Sequence, residues 1–199
     1  MGQHLMHTGL RVALADDEPL MRQSLSSLLL RSGHDVIAVS DGTELVDVCQ
    51  SQTIDLIITD IFMPKMDGLE AVETIYKHRP VPVVIVSGTP ASDFLDRAQG
   101  IHAYGCLVKP INEADIIPAI ELAMGRFEEN QVLLHERETL RQSLADRKLV
   151  ERAKGVLMRQ TGLDEAAAFQ RLQIIARNKR RKLVEIAEMI LTAQEAVSS

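Results

Sequence analysis

The chain has little that could staple it, span a bilayer or stack bases. Its two cysteines, Cys49 and Cys106, have neither metal-motif spacing nor the density of a disulfide scaffold. Both are expected to be reduced, with Cys49 packed on a helix. No apolar stretch approaches the ~20 residues that cross a bilayer, and Met1 to Thr8 lacks the apolar core of a signal peptide. A cytoplasmic protein with no membrane partner is the expectation. Aromatic residues make up only 3% of the 199. What is present suffices for a core: 46% of residues are apolar and 25% charged, enough for one large or two small domains.

The net charge of −6 is unevenly spread. Residues 1–136 carry 9 basic and 20 acidic side chains, whereas 137–199 carry 13 basic and 8 acidic. Such asymmetry suggests two domains with different partners, the basic one facing a polyanion. A solvated helical surface would give the same counts.

Short runs rich in Val and Ile alternate with helical patterns in the first part. Strands are expected at Leu10–Ala15, Asp35–Ser40, Leu56–Thr59, Val83–Val86 and Cys106–Val108, several too uniformly apolar for a half-exposed sheet. Helices are expected at Pro19–Arg31, Thr43–Gln50, Leu69–His78, Ser92–Gln99 and from about Asn112. Five such βα units imply a parallel sheet covered on both faces, with ligands at the carboxyl ends of the strands. Asp16, Asp17 and Asp60 all fall at such ends. Three carboxylates gathered there repel one another, and a divalent cation is the simplest way to keep them ionised together. Ser87 follows the fourth strand and can offer a hydroxyl to a phosphoryl oxygen. Lys109 follows the fifth and can neutralise charge, with Pro110 after it able to take a preceding cis peptide. One strand-end Asp is commonly a turn former, but five polar residues gathered at the ends of four of the five strands are a stronger signal.

Through Ala15-Asp16-Asp17-Glu18-Pro19, Asp60 to Gly68 (Asp-Ile-Phe-Met-Pro-Lys-Met-Asp-Gly), Val86-Ser87-Gly88 and Val108-Lys109-Pro110, residues 9–125 resemble the receiver domain of bacterial two-component response regulators. The resemblance implies a flavodoxin-like α/β fold, a doubly wound five-stranded parallel sheet. It implies that Asp60 accepts a phosphoryl group from a sensor histidine kinase. Asp16, Asp17, Asp60 and the Phe62 backbone carbonyl would hold Mg²⁺, while Ser87 and Lys109 contact the phosphoryl group. There is one departure: where the family carries an aromatic residue three positions before the lysine, this chain has Cys106, with Tyr104 two residues earlier. Phosphorylation is expected to be kept and its coupling to be unusual. A phosphatase passing through an aspartyl-phosphate would need an acid two residues after Asp60, and Phe62 stands there. The chain is therefore read as no enzyme, with only slow self-dephosphorylation.

From Asn112 the chain reads as helical for a long way, with Asn112 and Asp115 as candidate caps and Pro118 expected to cost a bond or shift the start. Residues 126–145 form a linker whose loose leucine spacing, interrupted by Asn130 and Arg137, is a weak coiled-coil signal. Three helical blocks follow. The first ends before Gly162, Asp164 caps the second, and the third runs from about Val184 to Ala196 with a start expected to fray. In the first block Leu149, Ala153, Val156, Leu157 and Gln160 share a face, while Lys148, Arg152, Gly155 and Arg159 form a basic stripe, with Arg147 and Lys154 alongside. Glycine inside a helix costs about 1 kcal/mol relative to alanine, so Gly155 suggests close approach of another backbone. A second basic run, Arg177 to Lys182, is expected to fill the turn between the last helices.

Residues 146–193 resemble the ANTAR domain, an RNA-binding three-helix module of transcription antitermination regulators. Val150 to Met158 (Val-Glu-Arg-Ala-Lys-Gly-Val-Leu-Met) is the most specific segment, supported by Ala168-Phe169, Leu172, Ala176 and Ile186-Ala187. The domain is taken as 146–196. The resemblance implies a regulator in which a homodimer grips RNA hairpins in nascent transcripts and prevents a terminator from forming. Phosphorylation of Asp60 is expected to alter docking or dimerisation along residues 120–149 and to free Lys148, Arg152, Lys154, Gly155 and Arg159 for RNA. With no aromatic platform beyond Phe169, contacts are expected to be charge-led and salt-sensitive. A DNA-binding regulator would need a recognition helix, and Asp164–Arg177 offers few base-reading side chains. A protein-interaction adaptor would leave the basic stripe without a role in RNA binding.

Overall fold

The computed structural model describes residues 7, 9–88 and 103–198, with side chains described through residue 195. The chain divides into two compact units, residues 1–131 and 132–199.

In the first unit the strands β1 (Arg11–Ala15), β2 (Asp35–Val39), β3 (Leu56–Asp60), β4 (Val83–Ser87) and β5 (Gly105–Val108) form one parallel sheet in the order β2-β1-β3-β4-β5. β3 and β4 are buried along their whole length, which is why they read as unbroken apolar runs rather than alternating ones. The helices α1 (Pro19–Arg31), α2 (Gly42–Ser51) and α3 (Gly68–His78) follow β1, β2 and β3, and α4 (Glu113–Thr161) follows β5. The expected helix at Ser92–Gln99 lies outside the described residues.

Two apolar cores cover the faces of the sheet. One is centred on Ile57, Ile85, Leu45, Val72 and Ile75; the other on Leu14, Leu29, Ile58, Val84 and Ile120. Burial of this kind stabilises by roughly 25 cal/mol per Å² of apolar surface. Cys49 and Cys106 pack against the first core as free thiols, and burial pushes the Cys49 pKa up to about 11, so neither is a poised nucleophile.

Element starts are set by local chemistry. Asp41 caps α2 by accepting from the amides of Thr43 and Glu44, and Asp67 with Glu70 forms a capping box at α3. Pro118 does not delay α4, which begins at Glu113. It lies inside the helix as its sixth residue, past the amides that normally go unpaired, so the Ala114 carbonyl loses its usual helical donor, the cost that the sequence suggested. The Asn112 side-chain amide donates to Asp115 (3.1 Å) rather than accepting from the helix.

In the second unit the end of α4 packs with α5 (Glu165–Lys179) and α6 (Leu183–Ser198) around Ala153, Val156, Leu172, Ile186 and Ala187. Leu149, Ala153, Val156 and Leu157 pack as the pattern suggested, but Val150 joins the core and Gln160 is exposed, so the buried face of α4 ends at Leu157. Gly162, at φ +70°, ends α4 in the left-handed region, and Asp164 caps α5 through the Ala167 amide. α5 runs on to Lys179, so only Arg180, Arg181 and Lys182 of the basic run form the turn. No helix among the described residues is long and apolar enough to cross a membrane.

Candidate functional site

The order of the strands reverses on the two sides of β1, so the carboxyl ends of β1 and β3 border the crevice where doubly wound sheets bind ligands. Asp60 is the last residue of β3, paired with Val86, and Asp16 and Asp17 follow β1 directly. Carboxylate oxygens of all three lie within 4.8 Å of one another.

Asp16 is fully buried and Asp17 exposed. Burial pushes the Asp16 pKa up, against the Glu18 amide and the Lys109 ammonium, which favour its charged form. Asp60 accepts from the Phe62 amide through Oδ1 (3.1 Å) and from Lys109 Nζ through Oδ2 (2.5 Å). Lys109 Nζ also lies 3.2 Å from Asp16 Oδ2. Burial disfavours the ammonium, yet its two carboxylate partners outweigh burial and raise its pKa. Ser87 ends β4, is 1% exposed, and its carbonyl accepts from the Lys109 amide (2.8 Å), which ties the two strand ends together.

One ammonium faces three carboxylates, an excess of negative charge that a divalent cation would balance. Asp16 Oδ2, buried and without a well-aligned hydrogen bond, is an oxygen such an ion would satisfy. The donor set is all hard oxygen, as Mg²⁺ prefers.

The loop after β3 holds residues that the sequence pattern did not single out. Lys65, at φ +65°, pairs with Asp41 at 2.5 Å. Gly68 presses on the Asp60 carbonyl so closely that no side chain fits between them. At β5, Tyr104 is buried where the strand begins. Its hydroxyl accepts from Asn130 (2.7 Å) and its ring meets Phe127 edge to face at 5.4 Å, both on α4.

The basic stripe of α4 separates into three settings. Arg152, Gly155 and Arg159 line a cleft together with Glu151, Val156, Leu191, Gln194 and Glu195. Lys148 lines a different, open groove with Leu133, Leu140 and Leu144, which are 63%, 66% and 62% exposed. Lys154 is buried, its Nζ 2.5 Å from Glu151 and 2.8 Å from Glu165. Position 154 borders the packed face of α4, so the stem packs inward and the charge is met across the α4–α5 turn.

The Lys154 ammonium holds the Glu165 pKa below its ordinary value, and Glu151 with Glu165 raises that of Lys154. A depressed carboxylate contributes stability above its unfolded pKa and loses it as pH falls through the folded value. The raised lysine contributes across neutral pH and is lost only in strong alkali. Thermal unfolding followed by circular dichroism should therefore show the bundle weakening as pH drops below the ordinary glutamate range. Glu165→Gln should lower the midpoint at neutral pH and flatten that acid limb; an unchanged acid limb would remove the pair's role.

The family model for the response regulator receiver domain matches residues 12–121, and that for the ANTAR domain matches 138–191. The transcriptional regulatory protein PdtaR of Mycobacterium tuberculosis is 39% identical over 182 residues, 91% of this chain and 89% of that protein. Among solved structures, a response regulator receiver domain protein from Clostridium thermocellum shares 30% identity at a TM-score of 0.55, over 60% of this chain and 97% of its own. The Vibrio cholerae chemotaxis protein CheY4 shares 26% at 0.55, over 58% and 99%.

Proposed function

Because the chain belongs to the response-regulator family, with a receiver domain followed by an ANTAR domain, we propose that phosphorylation of Asp60 by a sensor histidine kinase controls binding of the second unit to hairpins in nascent RNA, promoting transcription antitermination. The observation that carries this reading is the pairing, in one chain, of a lysine-bridged aspartate cluster with a separate helical surface that presents Arg152 and Arg159.

Asp60 is the nucleophile. Its Oδ atom forms the bond to phosphorus while the phosphohistidine nitrogen departs with the bonding pair. Asp16, Asp17, Asp60 and the Phe62 carbonyl would hold Mg²⁺, which supplies charge stabilisation to the phosphoryl oxygens. Lys109 reaches Asp60 Oδ2 already and keeps its ammonium beside the oxygens of the transferred group. Ser87 stands at the neighbouring strand end as a hydroxyl partner for one of them. Phe62 leaves no acid to protonate a leaving alkoxide, so the aspartyl-phosphate persists and no diffusible ester is turned over.

Coupling would run through Tyr104, the residue before β5, which is fastened to Phe127 and Asn130. A shift of Lys109 and β5 toward the phosphoryl group would move Tyr104 and loosen or tighten that grip on α4. Leu133, Leu140 and Leu144 are then available to a second copy. In a parallel pair Glu136 of one copy and Arg141 of the other would flank the seam with opposite charges, both lining the same groove as the leucines.

Lys148, Arg152 and Arg159 would meet RNA phosphates, and Gly155 admits close approach. Lys154, committed to two glutamates, would brace the bundle instead. The test measures RNA-hairpin binding and solution mass with and without a small phosphodonor and Mg²⁺. The modified chain should bind more tightly and at greater mass. Arg152→Ala with Arg159→Ala should weaken binding about 10–100-fold and reduce the salt slope by about one for each phosphate left without its cation. Unchanged affinity and slope would assign the RNA to another surface, and a duplex promoter bound in preference to RNA would favour a DNA-binding regulator.

A further inference from the structure

We propose that the ion pair between Lys65 and Asp41 is a latch that positions the Phe62 backbone carbonyl, which makes both of them positioning residues for the divalent cation of the acidic cluster. This rests on the Mg²⁺ reading of that cluster and says what orients its one backbone donor.

The sheet places the carboxylate donors: Asp60 ends β3, and Asp16 and Asp17 follow β1. Phe62 lies two residues beyond β3, and its ring is 63% exposed, outside both apolar cores. Its amide reaches Asp60 Oδ1 at 3.1 Å, which leaves the direction of its carbonyl to the loop that follows. Met63 and Met66 of that loop pack against the first core, but methionine adapts to its surroundings and does not fix a backbone closely. A carbonyl that meets an octahedral Mg²⁺ at about 2.1 Å needs firmer placing.

Lys65 supplies it. At φ +65° it occupies the left-handed region, and the Met66 amide donates across it to the Pro64 carbonyl at 2.8 Å. That is a three-residue turn of the strained, positive-φ kind. A lysine so held persists only where its surroundings enforce it, and such strain gathers at functional sites. The enforcing group is the Asp41 carboxylate, 2% exposed and 2.5 Å from the Lys65 ammonium. Capping α2 does not call for that contact, since Asp41 Oδ1 alone accepts from the Thr43 and Glu44 amides, each at 3.0 Å. Oδ2 is left for Lys65. The Lys65 ammonium and the Glu44 amide hold the Asp41 carboxyl below the usual carboxylate range, so the pair stays charged at neutral pH. The next residues repeat the grip: the Gly42 amide donates to the Met66 carbonyl at 3.2 Å, and a Cβ at Gly42 would lie 2.5 Å from that oxygen. The start of α2 thus holds the loop at Lys65 and Met66, while the Gly68 amide ties its ends together on the Ile61 carbonyl at 2.9 Å. Phe62 lies between the fixed points Ile61 and Lys65.

Charge and position predict opposite signs at Lys65. By charge alone, losing this cation should tighten binding of Mg²⁺, whereas losing the Asp41 anion should weaken it. If the pair acts by position, either loss weakens binding.

The experiment uses the full chain without a phosphodonor, labelled with ¹³C-carbonyl phenylalanine and ¹⁵N methionine. Phe62-Met63 is the only Phe-Met step in the sequence, so one amide signal reports the Phe62 carbonyl as Mg²⁺ is titrated. In the wild type that resonance should move saturably. Lys65→Met alters a side chain that is 66% exposed, and Asp41→Asn keeps the capping oxygen. Each should raise the Mg²⁺ dissociation constant about tenfold, and the double variant should be no weaker than the worse single one. Lys65→Arg restores the charge pair and should stay within about twofold of the wild type. Should Asp41→Asn lose its fold, the two exposed Lys65 variants still decide. Unchanged or tighter binding by Lys65→Met overturns the latch and leaves the metal site in place. A wild-type carbonyl resonance that ignores Mg²⁺ while calorimetry shows the ion bound overturns Phe62 as a donor, and the latch with it. A wild type that binds no Mg²⁺ overturns the metal reading itself.

Discussion

An Asp60→Asn chain is expected to take up no phosphoryl group from a small phosphodonor in the presence of Mg²⁺, while the wild type gains one, as intact mass spectrometry would read. The amide keeps an oxygen for the Phe62 amide but loses the charged oxygen that Lys109 now holds at 2.5 Å. It also lacks the electron density to attack phosphorus. Removing one of three crowded carboxylates relieves repulsion, so the thermal midpoint should be unchanged or higher, which separates lost chemistry from lost folding. Lys109→Ala supplies the graded comparison. It leaves the nucleophile and removes one cation from the developing charge, so phosphorylation should slow by about 10²–10³-fold. Uptake by Asp60→Asn at the wild-type rate would move the acceptor to another acid and dissolve the proposed site.

Gly68→Ala should be among the most damaging single-methyl changes in the chain. Intrinsic propensity argues the other way: alanine at the start of α3 ought to help by up to about 1 kcal/mol. Instead, the added Cβ would lie within bonding range of the Asp60 carbonyl oxygen and 2.7 Å from Thr59 Oγ1. Neither atom can yield. The Asp60 carbonyl belongs to a fully buried strand, and the Thr59 hydroxyl donates to that same carbonyl at 2.9 Å. The Gly68 amide is in turn held by the Ile61 carbonyl at 2.9 Å. Overpacking a core costs about 1–3 kcal/mol when side chains can adjust, and here backbone must move, so a loss of about 3 kcal/mol or more is expected. Because the displaced backbone carries the nucleophile, phosphorylation of the folded fraction should slow as well. Chemical denaturation with a parallel phosphorylation time course reads both. A midpoint at or above wild type would mean that the loop after β3 can move away at little cost.

These two sites differ in how far the sequence discloses them. Asp16, Asp17, Asp60, Ser87 and Lys109 could be placed without coordinates because each ends an apolar run. A strand end is a local event, and the parallel sheet carries all such ends to one edge. The requirement at Gly68 was hidden. It depends on how the loop folds back on β3, and nothing in the local pattern separates a glycine that permits a turn from one that permits a contact. Lys154 shows the same limit in the second unit. By helical spacing it sits beside Arg152 and Arg159, yet Glu165 on the next helix draws its charge into the bundle. Tyr104 could be seen two positions from Cys106, but its anchorage to Phe127 and Asn130 could not, since those partners lie more than twenty residues along the chain.

By itself the sequence determined the periodic elements, the two-part organisation, the acidic cluster and the concentration of positive charge toward the end, because hydrophobic period, turn chemistry and charge act over a few neighbouring residues. Tertiary structure alone decided which cations remain open to a polyanion, which glycines are forced by contact and how Tyr104, just before β5, grips α4. Those outcomes depend on distances between groups that the chain brings together only when it folds, and at such distances a carboxylate or a carbonyl oxygen within 3 Å outweighs any local preference.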